Sequence, residues 1–213
     1  MKAGLTLSNV TIAIGTRHLA GPLSVHVRPG ETLSLMGPSG SGKSSLIAHV
    51  SGVLDPAFTA GGSIMLDGAV LDGVPVERRR IGVLFQDDLL FAHMTVAENL
   101  AFAVPRAVNR HERWQRVQAA LHEAELPGIA ARRPETLSGG QRARVALMRA
   151  LLAEPRALLL DEPFARLDMA LRERIRAFTF ATIASRGIPA LLVTHDRKDV
   201  PGRLMEIGGE ELV

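Results

Sequence analysis

Between Gly37 and Ser44 the chain reads GPSGSGKS, a G-x-x-x-x-G-K-S spacing preceded by the apolar LSLM and followed by the helix-forming SLIAHV. A glycine-rich loop between a strand and a helix lets backbone N–H groups close around phosphate oxygens. Lys43 adds a point charge, and the Ser44 hydroxyl suits Mg²⁺, a cation that prefers oxygen ligands. Gly37, Pro38, Ser39, Gly40, Ser41, Gly42, Lys43, Ser44 and Ser45 are therefore the candidate cradle for a nucleoside triphosphate. A matching acid stands in ALLLDE: four apolar residues, Ala157 to Leu160, bury a strand and deliver Asp161 and Glu162 to its C-terminal end, where ligands bind in open α/β sheets. Adjacent strand residues point to opposite sides. Asp161 is expected to face the metal and Glu162 to polarise an attacking water. His195, ending LLVTH, and Gln86, after IGVLF, also sit at strand ends. Either residue alone reads as structural; beside Glu162, His195 becomes a γ-phosphate sensor, and Gln86 a ligand to Mg²⁺ or the water.

A second anion-binding pattern lies about a hundred residues downstream. Leu137-Ser138-Gly139-Gly140-Gln141 opens an Arg- and Leu-rich run of helical period. Ser138 is placed to cap that helix, and the glycines keep its first turn bare, so its N–H groups and dipole favour an anion.

The elements that must position these residues follow from patterning. The first thirty residues alternate apolar and polar, as short antiparallel strands do, and Pro29-Gly30 turns into a strand over 32–36. Further strands are expected over 63–67, 81–85, 157–161, 190–194 and 203–207. Helices are expected after the phosphate loop, after Thr95 (a capping box with Glu98), over 110–125, after Ser138 and over 169–184. Strands alternating with helices imply a largely parallel sheet. The expected organisation is a single domain over 1–213. Residues 1–86 and 136–213 form an α/β core with an antiparallel part, and 87–135 a helical insertion. No appended domain is expected after 203–207.

Composition narrows the class. The chain has 213 residues, 46% of them apolar, enough for a sizeable core, and no cysteine, which excludes disulfides and thiolate metal sites. No apolar run approaches the ~18 residues of a membrane span, and no signal peptide is visible. Net charge is +3, but the basic residues are scattered along helices without a tract interleaved with aromatics, so nucleic acid is not an expected partner.

With these residues in order, nearly the whole chain resembles the ATP-binding subunits of ABC transporters. Gly37–Ser45 matches the Walker A loop, Gln86 the Q-loop, Leu137–Gln141 the signature, and Asp161-Glu162 the Walker B end. Asp168, in ARLD, matches the D-loop and His195 the H-loop. The resemblance implies a P-loop NTPase fold: a mixed, largely parallel sheet with an N-terminal antiparallel β subdomain and an inserted α-helical subdomain. It implies ATP and Mg²⁺ as ligands, with Ser44, Gln86 and Asp161 at the metal and Glu162, His195 and Gln86 in catalysis. It also implies a head-to-tail homodimer in which Leu137–Gln141 of one chain meets the ATP held by the other.

FQDDLLFAHMTVAENL is similar to importer subunits, with Ala92 where proline is common. The similarity extends to short cassettes related to thiamine, iron and sulfate importers, without the C-terminal regulatory domain of longer subunits. Partners implied are integral membrane permease subunits, which meet 87–135 near Phe91 and Met94, and a solute-binding protein. The implied location is the cytoplasmic face of the inner membrane. Related cassettes in DNA repair or on ribosomes carry long coiled coils or paired cassettes, which this chain lacks. Two departures stand out: Arg166 occupies a D-loop position that is usually small or hydrophobic, and Ile14 takes the place of the aromatic that stacks on adenine. With no tyrosine in the chain, ATP and GTP are expected to be used within a few-fold of each other.

Overall fold

A computed structural model describes residues 3–207. Its contacts cluster into two compact units. The first takes the chain through Val83, then Arg156–Glu162, then from Phe180 onward; the second takes Leu84–Pro155 and Pro163–Thr179.

The first unit holds two sheets. In one, β1 (Leu5–Ile14), β2 (Arg17–Val27), β4 (Phe58–Leu66) and β5 (Ala69–Val70) lie in the order β2-β1-β4-β5, all paired antiparallel. In the other, β3 (Thr32–Met36), β6 (Ile81–Leu84), β7 (Ala157–Asp161), β8 (Ala190–Val193) and β9 (Arg203–Glu206) lie in the order β6-β7-β8-β3-β9, with β7, β8, β3 and β9 mutually parallel. Helix α1 (Lys43–Ser51) follows β3, and a single turn, α2 (Val76–Arg79), precedes β6. The patterning read from the sequence reappears as burial. Strands β3, β7 and β8 are buried almost end to end, as parallel strands covered on both faces are. Leu5, Leu7, Val10 and Ile12 of β1 join Leu33, Leu35, Ile47 and Leu159 in one core.

The strands of the antiparallel sheet run longer than the sequence suggests. β4 begins at Phe58, five residues before the expected start at 63, because its Gly61-Gly62 pair reads as a turn yet is accommodated by a bulge. β1 carries one extra residue between Ser8 and Thr11, Asn9 adopts φ 49, and the pairing resumes beyond it. Gly62 itself has φ 84, and a Cβ there would collide with the Asn9 carbonyl, so no side chain fits.

In the second unit α3 (Val96–Ala103), α4 (Arg110–Glu123) and α5 (Gly139–Leu152) pack on one another, with the first turns of α6 (Met169–Ser185). Each start is capped as its sequence demands. Thr95 Oγ1 accepts from Glu98 N at 3.2 Å while Glu98 returns a bond to Thr95 N, and Asn109 Oδ1 accepts from Glu112 N. The helix ends are closed by arginines. Arg113 donates to the carbonyls of Ala101 and Val104 at the end of α3, and Arg144 to Ala124 O at the end of α4. Much of the chain's arginine is thus engaged on its own backbone.

Asn99, fully buried, ties down the loop before α3: its Oδ1 accepts from Phe91 N at 2.8 Å, and its Nδ2 donates to Phe91 O and Met94 O. Asn99→Ala strands those buried groups and is expected to cost about 1–3 kcal/mol of stability, read by urea denaturation. Among the described residues no helix is long and apolar enough to cross a membrane.

Candidate functional site

Three parallel neighbours end at one edge of the five-stranded sheet. Leu35 of β3 and Asp161 of β7 both pair with Val193 of β8, so the three strands finish at the same level. The pairing continues past them: Glu162 N donates to Val193 O and Thr194 N to Leu35 O. The chain after each strand therefore brings Gly37–Ser44, Glu162 and His195 to one place.

The loop after β3 leads into α1, whose N-cap is Gly42, with no side-chain cap and no acid in the first turn. Its orphan N–H groups and positive dipole end face the loop, an arrangement suited to phosphate. The buried Lys43 ammonium donates to Gly37 O at 2.9 Å, Pro38 O at 2.6 Å and Ser41 Oγ at 3.3 Å. Burial holds its pKa below the ordinary lysine value, partly offset by the charges of Glu162 and Asp161.

Across from it, Ser44 Oγ donates to Asp161 Oδ1 at 3.3 Å. Burial raises the Asp161 pKa above the ordinary carboxylate value and Glu162 adds to the rise, while Ser44 and Lys43 offset part of it. A carboxyl whose folded pKa is raised stabilises the fold below its unfolded pKa and loses that contribution as pH rises through the folded value. At neutral pH ionised Asp161 therefore weakens the protein. Asp161→Asn, which keeps an acceptor for Ser44, is expected to raise the melting temperature at pH 7, by about 2–4 °C per kcal/mol relieved. The gain should vanish as pH falls and the native Asp161 takes up a proton. Calorimetric melts from pH 4 to 8 would check this; a lower melting temperature at pH 7 refutes it.

Glu162 has φ 48, a left-handed backbone that costs a non-glycine residue about 1 kcal/mol or more. That turn takes its side chain away from the Asp161 direction: Glu162 Oε1 lies 3.1 Å from His195 Nδ1. A cavity of about 490 Å³ is lined by Lys43 and Ser44, by Glu162 and His195, and by two apolar residues, Leu19 and Phe58. Ile14 does not line it. It stands at the end of β1, 38% exposed, directly paired with Phe58.

The remaining candidates belong to the second unit. Ser138 caps α5 with a full capping box: its Oγ accepts from Gln141 N, and Gln141 Oε1 accepts from Ser138 N at 3.0 Å. Gln141 thus has a local structural reason, and Leu137 is buried beneath the turn. Leu171 packs so closely on Gly140 that an added Cβ would lie 2.5 Å from it, whereas nothing lies closer than 3.8 Å to a Cβ on Gly139. A Cβ on Gly139 would thus make only ordinary contact with Leu167 and Arg142. Asp168 caps α6, accepting from Leu171 N at 3.0 Å. Gln86 is exposed and, with Arg166 and Gly139, lines a second cavity of about 420 Å³; Arg166 is ion-paired with Asp87.

Leu19 and Phe58 are lining residues that sequence reasoning passed over, and for Phe58 only the register of β4 against β1 could have pointed to it. Arg166, an unexplained departure in the sequence, acquires its Asp87 partner only in the fold.

A family profile described as ABC transporter matches residues 20–165, more than half of the chain. The chain belongs to the ABC transporter ATP-binding family. This cassette is 45% identical over 197 residues to YnjD of Escherichia coli (strain K12), an ABC transporter ATP-binding protein termed uncharacterized; the match covers 92% of this chain and 91% of YnjD. It is 38% identical to the sulfate/thiosulfate import ATP-binding protein CysA of Thermosynechococcus vestitus, covering 99% of this chain and 61% of that one. It is 39% identical to the Fe(3+) ions import ATP-binding protein FbpC 2 of Rhodococcus jostii, covering 98% and 63%. The cassette thus spans less than two thirds of those two import relatives.

Among solved structures it matches the dimeric post-hydrolysis state of the ATP-binding cassette MJ0796 bound to ADP and Pi, at a TM-score of 0.78 and 30% identity, over 95% of this chain and 94% of that one. It also matches cbiO1 from Clostridium perfringens, part of the ABC transporter complex cbiONQ, at 0.84 and 28%, over 97% and 85%. The mixed α/β cassette fold expected from the sequence is the fold found, and ATP is the nucleotide of the family.

Proposed function

We propose that this cassette is the ATP-hydrolysing subunit of an importer, and that ATP binding closes a pair of cassettes while hydrolysis reopens it. The observation that carries the reading is the convergence of Lys43, Ser44, Asp161, Glu162 and His195 at the ends of three parallel strands. Lys43 and the amides of α1 hold the β- and γ-phosphates, and Glu162 takes the proton of an attacking water, with His195 steadying its carboxylate. Mg²⁺, when bound, would supply positive charge to offset that developing on the phosphates.

Ser44 and Asp161 fit that ion: a hydroxyl and a half-buried carboxylate side by side, both hard oxygen ligands, at the mouth of a phosphate loop. Among the described residues no group of three or more His, Cys, Asp or Glu is placed to hold a metal ion. A hydroxyl and a carboxylate suit an ion whose other ligands are phosphate and water. Gln86 is the further candidate ligand.

Ser138, Gly139 and Gly140 complete the site on a second copy of the chain, a reading supported by the dimeric state of the MJ0796 match and by an α5 N-terminus with no acid in its first turn. The helical insertion, 87–135, receives the permease. There Leu89 and Phe102 are exposed, and the ring of Phe91 meets that of Phe102 edge-on at 5.0 Å. The names of the import relatives span sulfate, Fe(3+) and spermidine/putrescine. Solute choice accordingly rests with the membrane subunits and a solute-binding protein, and the cassette works at the cytoplasmic face of the inner membrane.

Affinity purification of the tagged chain from detergent-solubilised membranes tests this. Recovery of integral membrane permease subunits in stoichiometric amount is the expected outcome. Recovery of ribosomes or DNA in their place would overturn it.

A further inference from the structure

We propose that Phe58, on β4, is the platform on which the nucleotide base stacks, in place of the aromatic absent at Ile14, and that it accepts adenine and guanine alike. This rests on the reading of the 490 Å³ cavity as the ATP site.

The cavity has a polar part and an apolar part. Lys43, Ser44, Glu162 and His195 account for the triphosphate and its hydrolysis, which leaves Leu19 and Phe58 for the rest of the ligand. Among the described residues, Phe58 contributes the only phenyl or indole ring to the lining. Directly opposed residues of an antiparallel pair project to the same face, with Cβ atoms roughly 4.5–5.5 Å apart. Phe58 is the direct partner of Ile14, so the ring stands one strand across from the position where the aromatic is missing.

It is also held in place. Ala57 N donates to Asp55 Oδ1 and Phe58 N to Asp55 O, which sets the turn into β4, and the half-buried ring packs against the core beside Leu19. The bulge at Asn9 and Gly62 is what lets β4 stay paired with β1 as far as Phe58. A phenyl face has no polar atom with which to read a base edge, and every base has a π-face. Stacking of this kind tolerates either purine.

Titration calorimetry on the full chain with ATP, GTP and inorganic tripolyphosphate tests the assignment. Phe58→Ala is expected to weaken ATP and GTP in parallel, by roughly 5- to 100-fold, while tripolyphosphate binds as to the native chain. Phe58→Trp should restore both nucleotides, and Ile14→Ala should change them less than about twofold. Unchanged ATP affinity in Phe58→Ala overturns the inference, as does a larger loss in Ile14→Ala or a strong preference of the native chain for ATP over GTP. Should Phe58→Ala fail to fold, Phe58→Leu keeps the bulk without the ring and carries the same expectation.

Lys43→Ala separates the two levels of the argument. Loss of all three ligands there, with Phe58→Ala unaffected, refutes the platform alone. Retained ATP binding in Lys43→Ala refutes the phosphate site on which the platform depends.

Discussion

Glu162→Gln is expected to bind ATP with native affinity, hold the ATP-dependent dimer closed and lower steady-state hydrolysis by about 10²–10⁴-fold. The amide has the size and shape of the carboxylate, so the left-handed turn at this residue and the packing around the cavity persist. Contact with His195 persists too, since the amide oxygen can still face the Nδ1 that lies 3.1 Å from Glu162 Oε1. What is lost is the ability to take a proton from water. In the proposed reading phosphate binding is left to Lys43 and the α1 amides, which the substitution does not touch. Phosphate release measured over time, with size-exclusion chromatography in ATP, separates the two effects. Hydrolysis at the native rate would show that another group serves as the base.

Ser138→Arg is expected to abolish ATP-dependent dimerisation while leaving the monomer's ATP affinity within about twofold. The variant also loses the Ser138 cap on α5, which alone costs about 0.5–2 kcal/mol, so its melting temperature should fall. Ser138→Asp distinguishes the two consequences. An aspartate caps a helix as well as a serine does but places negative charge where the partner's γ-phosphate would approach. It should keep the native melting temperature and still fail to dimerise. Analytical ultracentrifugation at saturating ATP reads this directly. A normal dimer from both variants would refute a role for Leu137–Gln141 across the interface.

These outcomes were unequally legible in the residue pattern. The strand, loop and helix around Gly37–Ser44, the buried strand ending at Asp161 and the caps at Thr95 and Ser138 were all readable. Each depends on neighbours within a few residues: alternation, a glycine run, or a hydroxyl three residues from an amide. Spacing likewise anticipated that Asp161 and Glu162 would diverge. The φ of 48 at Glu162 takes the divergence further than strand alternation alone, and nothing local announces it. Phe58 was hidden because Gly61-Gly62 looks like the end of a strand until β1 bulges to meet it.

The sequence by itself determined that this chain builds a phosphate loop, an acid-ended parallel strand and a capped Ser-Gly-Gly helix, because those are short-range consequences of side-chain shape and hydrogen bonding. Tertiary structure decided which of these groups meet. Ser44 reaches Asp161 across 117 positions of sequence and Glu162 reaches His195 only because β3, β8 and β7 end at one level. Register, bulge position and burial depend on every strand in a sheet at once. The raised Asp161 pKa and the placing of Phe58 beside the phosphate loop are therefore properties of the packed sheets.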